Sequence, residues 1–355
     1  MKIEKNLAPP EGLKQKPTNV LKVPFGTLFT DHMFSMQYSS GKWHDAMIHR
    51  YAPLSLSPAA LCLHYGQGIF EGMKAYRRGE RILLFRPAKN FERLNQSTNR
   101  MVMPNIDVDF ALEALKELLR VEHSWVPDVV GSSLYIRPTM IGTQPKLGVK
   151  PSDEYLFYII LSPVGPYFKE GFSPVHIYIS TEHVRAVRGG VGIAKTMGNY
   201  AASLFAGTKA AEVGYSQVLW LDALERKYLE EVGTMNIFVK FDDELVTPPL
   251  GGTILAGITR DSVLTLTKDM GLNVRERQIT IDEVIEGIAS GKVVEMFGCG
   301  TAAIIAPVGS LWYNDKPYTV SDGKTGMLTQ HLFDELTGIQ SGEREDHYGW
   351  VIEVD

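Results

Sequence analysis

Cysteine is scarce in this chain, and the two cysteines present stand far apart. Cys62 and Cys299 are the only ones among 355 residues. A disulfide framework is therefore not expected, and this cysteine usage favours a reducing compartment, which predicts a cytoplasmic protein. The length makes two domains more natural than one small core.

The sequence also lacks a long apolar run, an excess of basic residues and a metal-ligand pattern. No stretch is apolar enough to span a bilayer, and the first residues resemble neither a signal nor a transit peptide. The formal net charge of −5 argues against nucleic acid or an anionic membrane as the main partner. The nine histidines show no spacing such as His-x-x-x-His, so we expect no metal site.

Hydrophobic periodicity predicts a mixed α/β protein behind a short, flexible N-terminal arm. Residues 61–87 read mainly as strands, and residues 154–165 form the most apolar strand pattern, which is typical of a central strand. Asp107 is the predicted N-cap of one helix, and Gly214 closes another. The segments 216–232 and 236–249 each have the pattern of a hairpin.

A Pro- and Gly-rich stretch, YFKEGFSP, marks a change of domain. We place a smaller N-terminal α/β domain at residues 1–168, a connection at 169–180 and a larger C-terminal domain at 181–355. The motif GGVGIAKTMGNY opens this second half.

That motif contains one lysine, Lys195, among glycines and apolar residues, with no acid to pair it. Desolvation in such a setting favours the neutral amine, which is the nucleophilic form. The surrounding glycines would let another molecule approach the backbone. An ordinary solvated lysine is the default interpretation, so the case for chemistry depends on the rest of the chain.

Other local features match the needs of pyridoxal 5'-phosphate. The segment GITRD begins a helix whose amides at Ile258 and Thr259 would bind a phosphate, and GCGTAA forms a small-residue turn at Thr301. An acid that keeps the cofactor's ring nitrogen protonated is available at Glu231, since only one of two neighbouring strand residues, Glu230 and Glu231, can face inward. Further candidates are a phenol at Tyr200 and a phosphate-binding arginine at Arg93.

Several segments, in order and spacing, closely resemble the branched-chain amino-acid aminotransferases of the fold-type IV pyridoxal-phosphate enzymes. They are FTDHM, HYGQGIFEGMKAY, LYIRPTMIG, KTMGNYAAS, LEEVGTMNIF, LAGITRDSV and FGCGTAAIIAPV. The resemblance implies a two-domain α/β (α+β) architecture, with the cofactor between the domains and the Schiff-base lysine in the C-terminal one. It also implies transfer of the amino group of leucine, isoleucine or valine to 2-oxoglutarate, by a ping-pong mechanism that yields branched-chain 2-oxo acids and L-glutamate.

The resemblance assigns residues to roles. Catalytic roles fall to Lys195, Glu231 and Tyr200, and the cofactor is held by these three with Arg93, Ile258, Thr259, Thr301 and, more distantly, Arg185. Phe25, Phe70, Tyr135, Arg137, Tyr167, Thr234 and Ala302 match substrate positions. Tyr65 and Val149 match residues that the family lends to the neighbouring subunit, which implies a homodimer.

Two kinds of alternative remain at this stage. The sequence GGVGIAKT is one residue from a phosphate-binding P-loop, which would make the protein a nucleotide-using enzyme, but the charged TEHVRAVR before it does not suit the buried strand that such a loop follows. A D-amino-acid aminotransferase or an aminodeoxychorismate lyase would share the fold.

Overall fold

A computed structural model of the protein describes residues 1–167 and 172–354. The strands are β1 (Glu4–Asn6), β2 (His32–Ser39), β3 (Lys42–Arg50), β4 (Gly68–Phe70), β5 (Met73–Arg78), β6 (Arg81–Phe85), β7 (Ser133–Gly142), β8 (Tyr155–Val164), β9 (Val175–Ser180), β10 (Gln217–Leu221), β11 (Leu229–Val232), β12 (Met235–Phe241), β13 (Leu245–Thr247), β14 (Val274–Glu276), β15 (Val293–Gly300), β16 (Ile304–Tyr313), β17 (Lys316–Thr319) and β18 (Val351–Val354). The α-helices are α1 (Leu61–Tyr65), α2 (Pro87–Met101), α3 (Val108–Val121), α4 (Met197–Glu212), α5 (Ile258–Asp269), α6 (Ile281–Ser290) and α7 (Met327–Ser341). The predicted mixed α/β class is confirmed.

The first sheet runs in the order β1-β3-β2-β8-β7-β5-β6-β18, with β4 added beside β7. All of its pairings are antiparallel except that of β1 with β3. The apolar strand β8 lies between β2 and β7, which confirms the prediction of a central strand. Helices α2 and α3 contribute Phe91, Leu94, Leu115 and Leu118 to the core beneath this sheet.

The second sheet contains a closed barrel of six strands. Its order is β11-β10-β9-β16-β15-β12, and β12 pairs again with β11. Strands β13 and β14 continue from β12, and β17 pairs with β16. The predicted hairpins are confirmed, because β10 with β11 and β12 with β13 are antiparallel neighbours. The barrel interior and the inner faces of its helices form a separate apolar core.

The chain divides into two compact units. The first groups residues 1–167, 194–197 and 338–354, and the second groups the described residues 172–193 with 198–337. Of the connection predicted at 169–180, residues 169–171 lie outside the described part, and Val175–Ser180 form strand β9. Lys195, expected within the C-terminal domain, is grouped with the first unit instead, because its backbone is hydrogen-bonded there.

Helix boundaries follow local chemistry. The Asp107 side chain accepts from the Phe110 amide at 2.8 Å and caps α3 as predicted, and Gly214, just after α4, has a φ of +83°. Residues 61–65, predicted as strand, form helix α1 instead, since a short apolar run cannot distinguish a strand from one buried helical turn. No helix among the residues described here is long and apolar enough to cross a membrane.

The N-terminal arm, which we expected to be flexible, is tied to the first sheet. Strand β1 pairs in parallel with β3, with Glu4 opposite Met47. Further along, the Ala8 amide donates to His32 Nε2 at 2.9 Å, and the Lys14 amide donates to Asp31 Oδ1 at 2.7 Å. These contacts join residues far apart in sequence, so local composition carried no sign of them.

Candidate active site

Lys195 lies on a short segment that pairs with strand β4. The Phe70 amide donates to the Lys195 carbonyl at 3.0 Å, and the Lys195 amide donates to Ser97 Oγ at 2.9 Å. The next residue, Thr196, forms an isolated antiparallel bridge with Ile69. The backbone of the lysine is thus fixed from two directions, and its Nζ lies 5.1 Å from the centre of the Phe70 ring.

A buried carboxylate holds the guanidinium of Arg93. Arg93 lies on α2 and is 7% exposed, and Glu71, just after β4, is 0% exposed. Arg93 Nε donates to Glu71 Oε1 at 2.7 Å and Nη2 donates to Oε2 at 2.8 Å, which is a two-point fork. Burial alone would raise the pKa of Glu71, but the charge and hydrogen bonds of Arg93, with Lys195 nearby, hold that pKa below its usual value.

Five of the predicted substrate residues form one aromatic cluster in the first unit. The Phe25 ring centre lies 4.8 Å from that of Tyr135 and 5.2 Å from that of Tyr167, both edge-to-face. The Arg137 guanidinium lies 4.6 Å from the Phe70 ring centre, and its Nη2 donates to the Tyr135 hydroxyl at 3.0 Å. The cluster combines apolar ring faces with one cation, as a pocket for an aliphatic side chain or a carboxylate requires.

The two residues predicted to reach a neighbouring subunit are on the surface. Tyr65, at the end of α1, is 42% exposed, and Val149 is 84% exposed. The Tyr65 hydroxyl donates to the Leu147 carbonyl, which joins α1 to the loop that carries Val149. Leu63 and Leu147 are themselves exposed, so the four side chains give this surface an apolar character.

In the second unit, Glu231 lies on β11 and one of its carboxylate oxygens has two partners. The Leu255 amide donates to Glu231 Oε1 at 2.7 Å, and Arg185 Nη2 lies 3.1 Å from the same oxygen. Arg185 also donates to the carbonyls of Gly192 and Thr253. The arginine is therefore placed by backbone oxygens and supplies a positive charge to the acid.

Position 192 has room only for a glycine. A Cβ at this position would come within 2.3 Å of the Thr253 carbonyl oxygen. We expected the glycines of this motif to let another molecule approach the backbone. At Gly192 the group that comes close is the chain's own Thr253 carbonyl.

Both of the neighbouring acids on β11 are buried, although only one of them was expected to face inward. Glu230 is 6% exposed and Glu231 is 4% exposed, because β11 is covered on both faces. Thr253 Oγ1 donates to Glu230 Oε1 at 2.5 Å, and Glu230 Oε2 has no hydrogen-bond partner within the described part of the chain. Burial raises the pKa of Glu230, and the opposing effects of Thr253 and Arg185 are smaller.

The predicted phosphate-binding helix begins where the sequence placed it. Helix α5 starts at Ile258, and its N-cap, Gly257, makes no side-chain cap. Thr259, in the first turn, is 4% exposed. The amides of this first turn have the geometry that binds anions at helix N-termini.

Two turns with predicted roles lie at the same end of the barrel. Thr301 and Ala302 connect β15 to β16, and Thr234 connects β11 to β12. These turns are neighbours because β12 pairs with β15, with Asn236 opposite Cys299. Burial raises the pKa of the Cys299 thiol to about 12, so this cysteine is an inert core residue rather than a nucleophile.

Tyr200 lies in the first turn of α4 and is partly buried. Its carbonyl accepts a hydrogen bond from Ser203 Oγ at 2.7 Å. The phenol predicted to tune the cofactor therefore begins a helix immediately after the lysine segment. No group of three or more His, Cys, Asp or Glu residues that could hold a metal ion occurs within the described ranges.

Sequence reasoning named Arg93 but missed three buried residues that support the site, Asn90, Ser97 and Glu71. Asn90, Arg93 and Ser97 form a buried polar stripe on α2, and Glu71 faces it. The helical spacing was readable in NFERLNQS, but a polar stripe that faces a buried acid has the same spacing as one that faces water.

Comparisons with known proteins show the family to which the chain belongs. The family model for the class IV aminotransferases matches residues 68–311. The branched-chain-amino-acid aminotransferase 2 of Bacillus subtilis is 54% identical over 335 residues, which cover 94% of this chain and 92% of that protein.

Solved structures point the same way. The branched-chain amino acid aminotransferase of Escherichia coli has a TM-score of 0.77 and 28% identity, with 92% of this chain and 99% of that chain covered. The T.th. branched-chain amino acid aminotransferase, solved in complex with N-(5'-phosphopyridoxyl)-L-glutamate, has a TM-score of 0.74 and 26% identity, with 90% and 98% covered.

Proposed function

The chain belongs to the branched-chain-amino-acid aminotransferases, within the class IV aminotransferases, and we propose that it transfers the amino group of leucine, isoleucine or valine to 2-oxoglutarate. The products are the branched-chain 2-oxo acids and L-glutamate, and the two half-reactions alternate in a ping-pong mechanism. The observation that carries the proposal is the cluster around Phe70, where the Lys195 amine and the Arg137 guanidinium both lie near the Phe70 ring, beside further aromatic rings.

Pyridoxal 5'-phosphate is the cofactor of this reaction, and the residues present fit it. The first unit offers an amine on a fixed backbone, and the second offers a buried acid and an uncapped helix N-terminus. When bound, the cofactor supplies an electron-accepting ring that stabilises negative charge on the substrate Cα.

Residues of the first unit hold and move charge near the reacting carbon. Lys195 would hold the cofactor through its amine, and as a free amine it would move the proton that leaves the substrate Cα. Arg93 binds phosphate oxygens through its guanidinium. Because the Lys195 backbone is hydrogen-bonded to Phe70 and Ser97, only its side chain has to move during a turnover.

Residues of the second unit bind the ring and the phosphate. Glu231, beside Arg185, would keep the pyridine nitrogen protonated, and Tyr200 would donate to the ring's 3-oxygen. The amides of Ile258 and Thr259, with Thr301, bind the phosphate.

The substrate side chain and carboxylates have separate sites. Phe25, Phe70, Tyr135 and Tyr167 contact the branched aliphatic group, and Arg137 binds the second carboxylate of glutamate. Thr234 also lines the pocket for the aliphatic group, and the backbone of the turn at Thr301 and Ala302 receives the α-carboxylate. Apolar faces beside one cation let a single pocket accept leucine and glutamate in turn.

The enzyme acts as a homodimer in the cytoplasm. The dimer is supported by an exposed apolar surface, which a second copy of the chain would bury. This surface consists of Leu63, Tyr65, Leu147 and Val149. Two distant free cysteines suit a reducing compartment. Sedimentation of the purified protein gives the mass, and a monomer at micromolar concentration would contradict the dimer.

A visible absorption spectrum tests the function directly. The purified protein, supplied with pyridoxal 5'-phosphate, should show a visible band that bleaches with leucine alone and returns with 2-oxoglutarate. A response to D-alanine but not to leucine would be consistent with the same fold but would show that the substrate is a D-amino acid. A protein that never develops the band would contradict the cofactor.

Replacing Lys195 tests the amine. Lys195→Ala should retain the fold, since the contacts of this residue with Ser97 and Phe70 use its backbone. Turnover should fall by more than about a thousandfold, as expected when a catalytic nucleophile is lost. Circular dichroism and a coupled glutamate assay measure the two effects, and normal turnover would refute the assignment.

A further inference from the structure

We propose that Glu71 is a positioning residue for the cofactor phosphate, because it fixes the orientation of the Arg93 guanidinium. This inference rests on the proposed function. Glu71 belongs to none of the roles assigned above, although it is an acid with no exposed surface.

Glu71 is itself immobile. Its amide donates to the Pro138 carbonyl on β7 at 2.8 Å, so its backbone is tied to the sheet. Its carboxylate accepts from the Gly72 amide at 3.2 Å and from Asn90 Nδ2 at 2.9 Å, in addition to the fork from Arg93. Asn90 Nδ2 also donates to the Gly72 carbonyl at 3.1 Å. A rigid acceptor can orient a flexible donor.

Packing closes the space around this acid. A Cβ at Gly72 would come within 2.2 Å of the Tyr135 hydroxyl oxygen, so the backbone after Glu71 lies directly against the aromatic cluster. Tyr135 in turn accepts from Arg137. The carboxylate is therefore held between α2 and the residues proposed to contact substrate.

The fork determines which side of the guanidinium faces away from Glu71. It engages Nε and Nη2, which share one side of the planar group, so Nη1 points in the opposite direction. A phosphate binds best to a donor that stays in one place. The arginine side chain has four rotatable bonds, so it needs a partner to hold its guanidinium there. Because Glu71 already holds the Arg93 side chain, the conformational entropy of that side chain is lost when the protein folds and not when the phosphate binds.

The charge of Glu71 and its orienting role predict opposite changes in phosphate affinity when Glu71 is replaced, so the two can be distinguished. Glu71 neutralises the arginine and so weakens its long-range attraction for phosphate. If charge alone mattered, Glu71→Gln would bind the phosphate more tightly. If orientation matters, as we infer, Glu71→Gln binds it less tightly.

The experiment compares two ligands that differ only in the phosphate. Apoenzyme is titrated with pyridoxal 5'-phosphate and with pyridoxal, and the ratio of the two dissociation constants isolates the phosphate contribution. For Glu71→Gln the preference for the phosphorylated ligand should fall at least about tenfold, which is typical when a supporting residue is removed. Pyridoxal affinity should stay within about threefold, since the phosphate contacts alone are affected.

A matched control separates positioning from general loss of a buried acid. Glu122, in the same unit, is 2% exposed and pairs with His32. Glu122→Gln removes a buried acid whose partners are His32 and the Asp31 amide rather than Arg93, and it should leave the ligand preference unchanged. An unchanged or increased preference in folded Glu71→Gln, or an equal fall in Glu122→Gln, would overturn the inference.

A milder variant decides the matter if Glu71→Gln does not fold. Asn90→Ala removes one hydrogen bond to Glu71 and should reduce the preference about threefold, since one of several constraints is lost. No reduction would overturn the inference. If the unmodified protein shows no preference for the phosphorylated ligand, the proposed function itself fails, and this outcome is distinct from the others.

Discussion

The two units each contain a buried acid–arginine pair, and the pairs are built differently. In the first, Arg93 makes a two-point fork with Glu71, and Asn90 donates to the same carboxylate. In the second, Arg185 meets Oε1 of Glu231 and is itself held by backbone carbonyls. In the first pair the acid is also held by other hydrogen-bond donors, whereas in the second pair the arginine is also held by carbonyl oxygens.

Among the variants of the two pairs, we expect the largest loss of rate when Glu231 is replaced. Glu231→Gln keeps the Leu255 hydrogen bond but loses the negative charge at the pyridine nitrogen, so the cofactor should remain bound while the half-reaction with leucine slows. We expect a loss of about 10²- to 10³-fold, as for other electrostatic stabilisers. Single-turnover bleaching of the visible band measures the rate, and a rate equal to that of the parent would contradict the electron-sink role.

A smaller effect should follow from Arg185→Met. The variant removes the charged partner of Glu231 Oε1, while the Leu255 amide remains in place. Because Arg185 acts through Glu231, we expect the rate to fall about 10- to 100-fold. The effect should largely vanish in a Glu231→Gln background, and a double-mutant cycle measures this coupling. Additive losses in the cycle would mean that the two residues act separately.

The smallest effect concerns the neighbouring acid, Glu230, whose Oε2 has no hydrogen-bond partner among the described residues. Its pKa is raised in the folded state, so at neutral pH its ionised form lowers stability, and this penalty disappears as the pH falls below the unfolded-state pKa of about 4.3. Glu230→Gln should therefore stabilise the protein by about 1 kcal/mol at pH 7.5, because the charge on a buried, poorly solvated carboxylate is removed.

Urea unfolding at pH 7.5 and pH 4 checks this sign. The gain should shrink at the lower pH. Glu71→Gln should behave in the opposite way: the depressed pKa of Glu71 contributes stability above about pH 4.3 that is lost as the pH falls through the folded-state value. The same direction of change in both variants would show that burial, rather than pairing, dominates at the two sites.

Much of the site was predictable because its signals are local. The start of α5 at Ile258 follows from a glycine before a helical pattern, and the cap at Asp107 follows from its position. The lysine motif and the acid at Glu231 were recognisable as residue types in the right order. The family resemblance joined them, and the comparisons with known aminotransferases support that family.

The errors came from contacts between distant segments. Alternation placed only one of Glu230 and Glu231 inward and did not reveal that both are buried, because β11 is covered on both faces. Composition suggested a free N-terminal arm, but β1 pairs with β3. In each case the deciding neighbour lies elsewhere in the chain, where a local pattern carries no information about it.

The sequence by itself determined which elements form and which chemical groups they carry, since propensity, capping and spacing act over a few residues. Only the tertiary structure decided which charges meet. A carboxylate at Glu71 or Glu231 has the same chemistry wherever it lies, but its partner, burial and orientation depend on segments that fold against it. The free energy of a buried charge is set by those neighbours, and this is why the roles of Arg93 and Arg185 differ.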